Sequence, residues 1–195
     1  MVDIKKCEDK TDEELVELTL KNQDYLLCLI KRYENKLRNY IMRISNLSEE
    51  DAEDVLQEAF IKMYINLNDF DKDLKFSSWA YRIVHNQVVS NYRRIKTRPK
   101  GIALDVDGNV LENLVSDFDT EKEVDAKILR SDVRRVLECL DLKYKEVLVL
   151  KFLEWKDYKE ISDILKKPMG TIATLINRAK KQFRKKLKEK NIKLK

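Results

Sequence analysis

Glycine and proline are nearly missing from this 195-residue chain, with 3 and 2 residues respectively. So few turn formers exclude a strand-rich or loop-rich architecture and favour long helices joined by few connections. No apolar run is long enough to span a bilayer, and the opening MVDIKKCEDKTDEE lacks the apolar core of a signal peptide. A cytoplasmic protein without direct membrane insertion is expected. Cysteine is scarce as well. Cys7, Cys28 and Cys139 are odd in number, widely spread and match no disulfide framework or metal spacing, which points to a reducing compartment. The single histidine, His85, has no Cys or carboxylate at ligand spacing. A Gly-rich phosphate loop, a nucleophile–base arrangement and paired carboxylates are all missing too. The chain therefore reads as a binding protein rather than an enzyme, with no catalytic residue, metal site or cofactor expected.

What the chain has in quantity is charge. Charged residues make up 38% and hydrophobic ones 43%, with a net charge of +5 at pH 7. The placement matters more than the total. Residues 105–125 hold eight acids against Lys122 alone, whereas residues 176–195 hold ten Lys/Arg against Glu189 alone. A polyanion is the natural partner of that basic end.

Helical periodicity runs through both ends of the chain. Thr11 with Glu14 forms a capping-box pattern opening a first helix, and the apolar stripe continues to about Ser45, with a candidate interruption at Asn22–Asp24. Ser48 caps a next helix, in which Val55, Leu56, Ala59, Phe60, Met63 and Tyr64 share one apolar face. Glu53, Asp54, Gln57, Glu58 and Lys62 then face outward. Asn68–Lys75 reads as a loop, and Ser77 or Ser78 can cap a helix starting near Trp79 that closes before Pro99 and Gly101. This helix combines Trp79, Tyr81 and Tyr92 with Arg93 and Arg94, the rings and cations on which unstacked bases and their phosphates settle.

Residues 101–122 carry no periodicity and read as an acidic tether. A second helical set spans Asp125–Leu140 and Leu142–Glu154. Asp157 then caps a short helix, YKEISDILKK, and Pro168 forces a break before a final helix from about Gly170 or Thr171 to Lys190. Two helices, a tight turn and a basic second helix make a helix-turn-helix pattern. Its last helix exposes Ala173, Thr174, Asn177, Arg178 and Lys181 and buries Ile172, Leu175, Ile176 and Ala179. Asn can pair with adenine and Arg with guanine or phosphate. The fold class expected is all-α: two small helical domains, 1–100 and 123–195, joined by the flexible segment 101–122.

Taken together, DAEDVLQEAFIKMY, the Asn66–Phe70 N-x-x-x-F and FSSWAYRIVHNQVVSNYRR resemble region 2 of bacterial RNA polymerase sigma factors. LECLDLKYKEVLVLKFLEWKDYKEISDILKKPMGTIATLINRAKKQFRKKL resembles their region 4. With nothing resembling regions 1 or 3, the arrangement is similar to the extracytoplasmic-function subfamily. The resemblance implies that Asp54, Gln57 and Glu58 dock on the polymerase clamp. It implies that Trp79, Tyr81, Arg82, Asn86, Asn91, Tyr92, Arg93 and Arg94 recognise and melt the minus-ten element. Thr171, Ala173, Thr174, Asn177, Arg178 and Lys181 then meet the minus-thirty-five element, and the helices before them meet the polymerase flap. The implied partners are RNA polymerase core, promoter DNA and an anti-sigma factor, membrane-anchored or free, within an envelope or stress response.

One departure stands out. Many members carry a basic residue at the positions of Ala173 and Leu175, so base contacts do not carry over securely to this helix. The competing reading is a helix-turn-helix regulator that binds duplex operator DNA without polymerase.

Overall fold

The computed structural model describes residues 7–97, 131–190 and 192, and these contain helices and turns but no strand. The tether expected at 101–122 and the start of the helix expected at Asp125 lie outside the described residues. In order the helices are α1 (Asp12–Lys21), α2 (Leu26–Ile44), α3 (Glu49–Ile65), α4 (Phe76–Thr97), α5 (131–138), α6 (Leu142–Leu148), α7 (Tyr158–Leu165) and α8 (Met169–Glu189).

Local chemistry accounts for most boundaries. Thr11 Oγ1 accepts the Glu14 N–H at 3.2 Å while the Thr11 N–H donates to Glu14 Oε2 at 2.7 Å, completing the capping box of α1. The break expected at Asn22–Asp24 is a short 3-10 turn over Gln23–Tyr25. Ser48 caps α3, accepting the Asp51 N–H at 3.1 Å. A second capping box, Asp157 with Glu160, opens α7. The Glu160 N–H holds the Asp157 carboxyl below the usual carboxylate range. That contribution to stability is present above the ordinary Asp value and fades as pH falls through the depressed one.

Three sequence expectations need correction. Tyr64 is not on the buried face of α3. It is 44% exposed, and its hydroxyl donates to Gln23 Oε1 at 2.9 Å. Nor do Ser77 and Ser78 cap α4, because the helix starts three residues earlier than Trp79 and contains them both. The reason is tertiary. Phe76 packs edge-on against Tyr33 (5.4 Å) and Phe70 (5.7 Å), and the Trp79 N–H already donates to Lys75 O. Finally, the helix expected over Leu142–Glu154 widens midway: α6 ends at Leu148 and a π-turn occupies Val149–Leu153.

The core of the N-terminal half lies between α2, α3 and α4, where Leu37, Tyr40, Ile41, Leu56 and Val84 are fully buried. In the C-terminal half α6, α7 and α8 converge on Val147, Leu150, Ile161, Ile164, Ile172 and Ile176. The two halves also touch, α4 lying along α7 and α2 meeting α6 and the π-turn.

Among the described residues two non-glycines adopt the left-handed region: Lys166, which ends α7, and Trp155 (φ 55°), in the turn entering α7. Trp155 is 85% exposed, so its ring recovers little packing energy for that backbone conformation. Trp155→Gly is therefore expected to stabilise the chain by about 1 kcal/mol. A thermal unfolding midpoint that falls would show that the indole supports the fold.

Candidate nucleic-acid interface

The acidic face of α3 forms as its spacing requires. Val55, Leu56, Ala59 and Met63 enter the core, leaving Asp54, Gln57 and Glu58 exposed on the opposite side. Glu58 is held in place rather than loose. Gln87 of α4 donates from Nε2 to Glu58 Oε2 at 2.9 Å, and Lys62 Nζ donates to Gln87 Oε1 at 2.6 Å. Gln87 is buried, so this chain aims the carboxylate from below. Sequence reading missed Gln87, for the partners lie 29 residues apart and no periodicity connects them.

Helix α4 separates its candidate residues onto three faces. Trp79, 7% exposed, sits in the core, its ring 5.4 Å from Phe70 and 5.6 Å from Phe76. Arg82 and Asn86, four residues apart, share a more open face, with Arg82 half-buried and Asn86 exposed. Toward the C-terminal end Tyr92 (59% exposed), Arg93 and Arg94 are exposed and Asn91 is half-buried, its Oδ1 accepting from Arg94 Nη2 at 3.3 Å. Tyr81 is buried and faces the C-terminal half. Its hydroxyl donates to Glu154 Oε2 at 2.6 Å. Burial first, then the Glu154 charge, pushes the Tyr81 phenol well above its ordinary value, so it stays a neutral donor.

The seam between the halves carries polar links that were invisible in the sequence. Glu154 also accepts from Arg43 Nη1 at 2.6 Å across 111 positions of chain. His85 Nε2 lies 3.0 Å from Glu146 Oε2, and Lys167 reaches the other oxygen of Glu146 at 3.6 Å. Lys156 Nζ donates to Ser77 Oγ at 3.1 Å and stands 4.6 Å from the centre of the Tyr81 ring. Among the described residues no cluster of three or more His, Cys, Asp or Glu could hold a metal ion.

Helix α8 begins one to two residues earlier than the sequence suggests, its first turn closing on Pro168 O through the Thr171 and Ile172 N–H groups. Ile172, Ile176 and Ala179 are buried and Leu175 half-buried, while Thr171, Ala173, Thr174, Asn177, Arg178 and Lys181 all face solvent. The Thr174 hydroxyl is turned back onto Gly170 O at 2.9 Å. An exposed row of short polar and basic side chains at the start of a helix fits a major groove. Among the described residues no helix is long and apolar enough to cross a membrane.

Comparison with known proteins finds relatives across both halves of the chain. The family model for Sigma-70 region 2 matches residues 29–98, and that for Sigma-70, region 4 matches residues 130–183. The ECF RNA polymerase sigma factor SigW of Bacillus subtilis (strain 168) is 31% identical over 182 residues, covering 86% of this chain and 91% of SigW. Among solved structures, CnrH in complex with the cytosolic domain of CnrY aligns with a TM-score of 0.67 at 22% identity, covering 92% of this chain and 99% of CnrH. The sigma factor RpoE in complex with the anti-sigma factor NepR from Bartonella quintana aligns with a TM-score of 0.59 at 17% identity, covering 82% and 94%.

Proposed function

Since this chain belongs to the ECF family of RNA polymerase sigma factors, we propose that it mounts on the polymerase core and directs it to particular promoters. Residues 1–100 form the unit that docks on the core and handles the minus-ten element. Residues 101–122 are the tether, and residues 123–195 form the unit that grips the minus-thirty-five element. The observation that carries this reading is the pairing, in one chain, of an exposed acidic face at Asp54, Gln57 and Glu58 with an exposed basic helix α8.

The work is binding, with no bond made or broken in the protein. Arg82, Asn86, Asn91, Tyr92, Arg93 and Arg94 offer stacking and phosphate contacts along the open side of α4. Base stacking on an aromatic ring contributes about 1–3 kcal/mol, comparable to the few kcal/mol that unstacking a base costs. One or two captured bases are then enough to bias opening. On α8, Asn177 and Arg178 take base edges or phosphate while Thr171, Ala173, Thr174 and Lys181 set the register. A partner of the anti-sigma class is consistent with the RpoE–NepR structure, and the site of action is the cytoplasm.

Run-off transcription with purified core polymerase on a library of promoter fragments tests the proposal. Transcripts that start at defined sites only when the chain is added support it. Specific retardation of duplex DNA by the chain alone, unaffected by polymerase, would instead favour the operator-binding regulator. Within this scheme Glu58→Lys reverses the charge that Gln87 holds in place and is expected to weaken association with core about tenfold or more, since like-charge contacts penalise docking. Undiminished co-purification with core would remove Glu58 from the docking surface.

A further inference from the structure

A cavity of about 350 Å³ opens where α2, the start of α4 and the turn entering α7 meet. Packing sets its walls, since one buried apolar cluster runs continuously through both halves of the chain. The volume lies at the small end of ligand pockets, roughly 300–1,000 Å³. Lys36, Arg43 and Lys156 line it together with Tyr33, Tyr81 and Trp155. The exposed faces of α3 and α8 contribute nothing to it. Of the residues set against promoter DNA only Tyr81 takes part, and its hydroxyl already donates to Glu154.

Charge around this cavity does not balance. Arg43 Nη1 holds one oxygen of Glu154 at 2.6 Å, and the Tyr81 hydroxyl holds the other at 2.6 Å. Glu160 is shared between Lys75 at 3.5 Å and Lys156 at 3.8 Å. Lys36 Nζ stands 5.5 Å from the centre of the Tyr33 ring and, among the described residues, makes no ion pair. Four cations therefore face two carboxylates, both already engaged. Burial, ahead of the opposing Glu160 and Glu154 charges, lowers the Lys156 ammonium from its ordinary value, and Lys75 and Lys36 press the same way. A largely buried ammonium crowded by like charges is stabilised by a bound anion.

Trp155 supplies the second observation. Its backbone is held at φ 55°, and its ring lines the cavity while remaining 85% exposed. Backbone outliers of this kind cost stability and gather at ligand clamps. A flat indole beside ammonium groups matches a nucleobase joined to a phosphate, the base stacking on the ring and the cations taking the anion. An apolar ligand would leave the lysines unused, and a metal ion would meet excess positive charge. We propose that this cavity binds a purine mononucleotide, its base stacked on Trp155 and its phosphate held by Lys36 and Lys156. Arg43 stays on Glu154, and Asn39, also on the wall, faces the ribose. The site needs neither polymerase nor promoter.

Fluorescence titration of the full-length chain with GMP and with AMP tests the site. The chain has 2 tryptophans and Trp79 is buried, so a stacked purine reports through Trp155. Saturable quenching is expected below about 1 mM nucleotide, with guanosine about tenfold weaker because it lacks the phosphate. Calorimetric titration reads the variant that has lost the indole. Trp155→Gly is expected to weaken GMP binding about tenfold, the loss of one base stack, while its unfolding midpoint does not fall. Lys36→Glu is expected to weaken GMP about tenfold with an unchanged midpoint, since Lys36 is exposed. No saturable quenching by about 1 mM, unchanged affinity in either variant, or guanosine binding as tightly as GMP overturns the site. A single-stranded oligodeoxynucleotide that binds more tightly than GMP and weakens in the same variants also overturns it, placing a DNA strand there instead. None of these measurements involves polymerase, so their failure leaves the sigma-factor reading standing.

Discussion

Replacing Trp79 by alanine is expected to destabilise the chain by about 3–5 kcal/mol, the cost of emptying a buried aromatic site. Trp79 fills the space between Phe70 and Phe76 and is 7% exposed. Its neighbours belong to the loop before α4 and to α4 itself, so the cavity cannot close without moving the helix start. This reverses what the resemblance alone suggests, namely that the substitution spares binding and slows promoter opening only. Urea unfolding of the variant decides the matter. A midpoint close to wild type, with promoter opening still impaired, would return Trp79 to the DNA. The cleaner probe of stacking is Tyr92→Ala, because Tyr92 is exposed and its loss leaves the core intact.

The second large effect concerns cysteine. The sequence reading finds no disulfide framework, yet Cys7 and Cys28 are bonded in the fold, 21 residues apart. Closing a loop of that size contributes about 3 kcal/mol, chiefly by restricting the unfolded chain. The bond secures the segment before α1 against α2. Arg32 reinforces it, donating from Nη2 to Cys7 O at 2.7 Å and from Nη1 to Asp12 Oδ1 at 2.7 Å. Unfolding with and without dithiothreitol is expected to separate by that amount, and Cys28→Ser is expected to match the reduced protein. Equal midpoints would mean that the pair works as thiols, in keeping with a reducing compartment. The pairing was illegible because an odd cysteine count leaves the choice among three residues open. Only the return of the N-terminal turn onto α2 brings two of them together.

Particular elements show how far sequence reasoning reaches. The capping boxes at Thr11 and Asp157 and the cap at Ser48 depend on side chains two or three positions from the groups they satisfy, and all three are where the sequence puts them. The exposed rows on α3 and α8 were equally legible, since the 3.6-residue repeat alone decides which residues turn away from an apolar stripe. Ser77, Ser78 and Tyr64 mark where that reasoning stops. Phe76 joins an aromatic cluster assembled from α2 and the preceding loop, and this extends α4 past its apparent cap. Tyr64 stands at the margin of the α3 stripe and turns outward to Gln23.

From the chain alone came the all-helical class, the family, the exposed acidic face of α3 and the exposed basic helix α8, because each is written in residues a few positions apart. Only the tertiary structure decided that Trp79 is core, that Gln87 aims Glu58, that Cys7 finds Cys28, and that Glu146 and Glu154 cover His85, Tyr81 and Arg43. Apart from the Trp79 ring contacts with Phe70 and Phe76, those contacts join residues 21 to 111 positions apart. No local repeat encodes such distances. They follow from which apolar faces bury against each other, and the polar groups carried along must then pair wherever that burial leaves them.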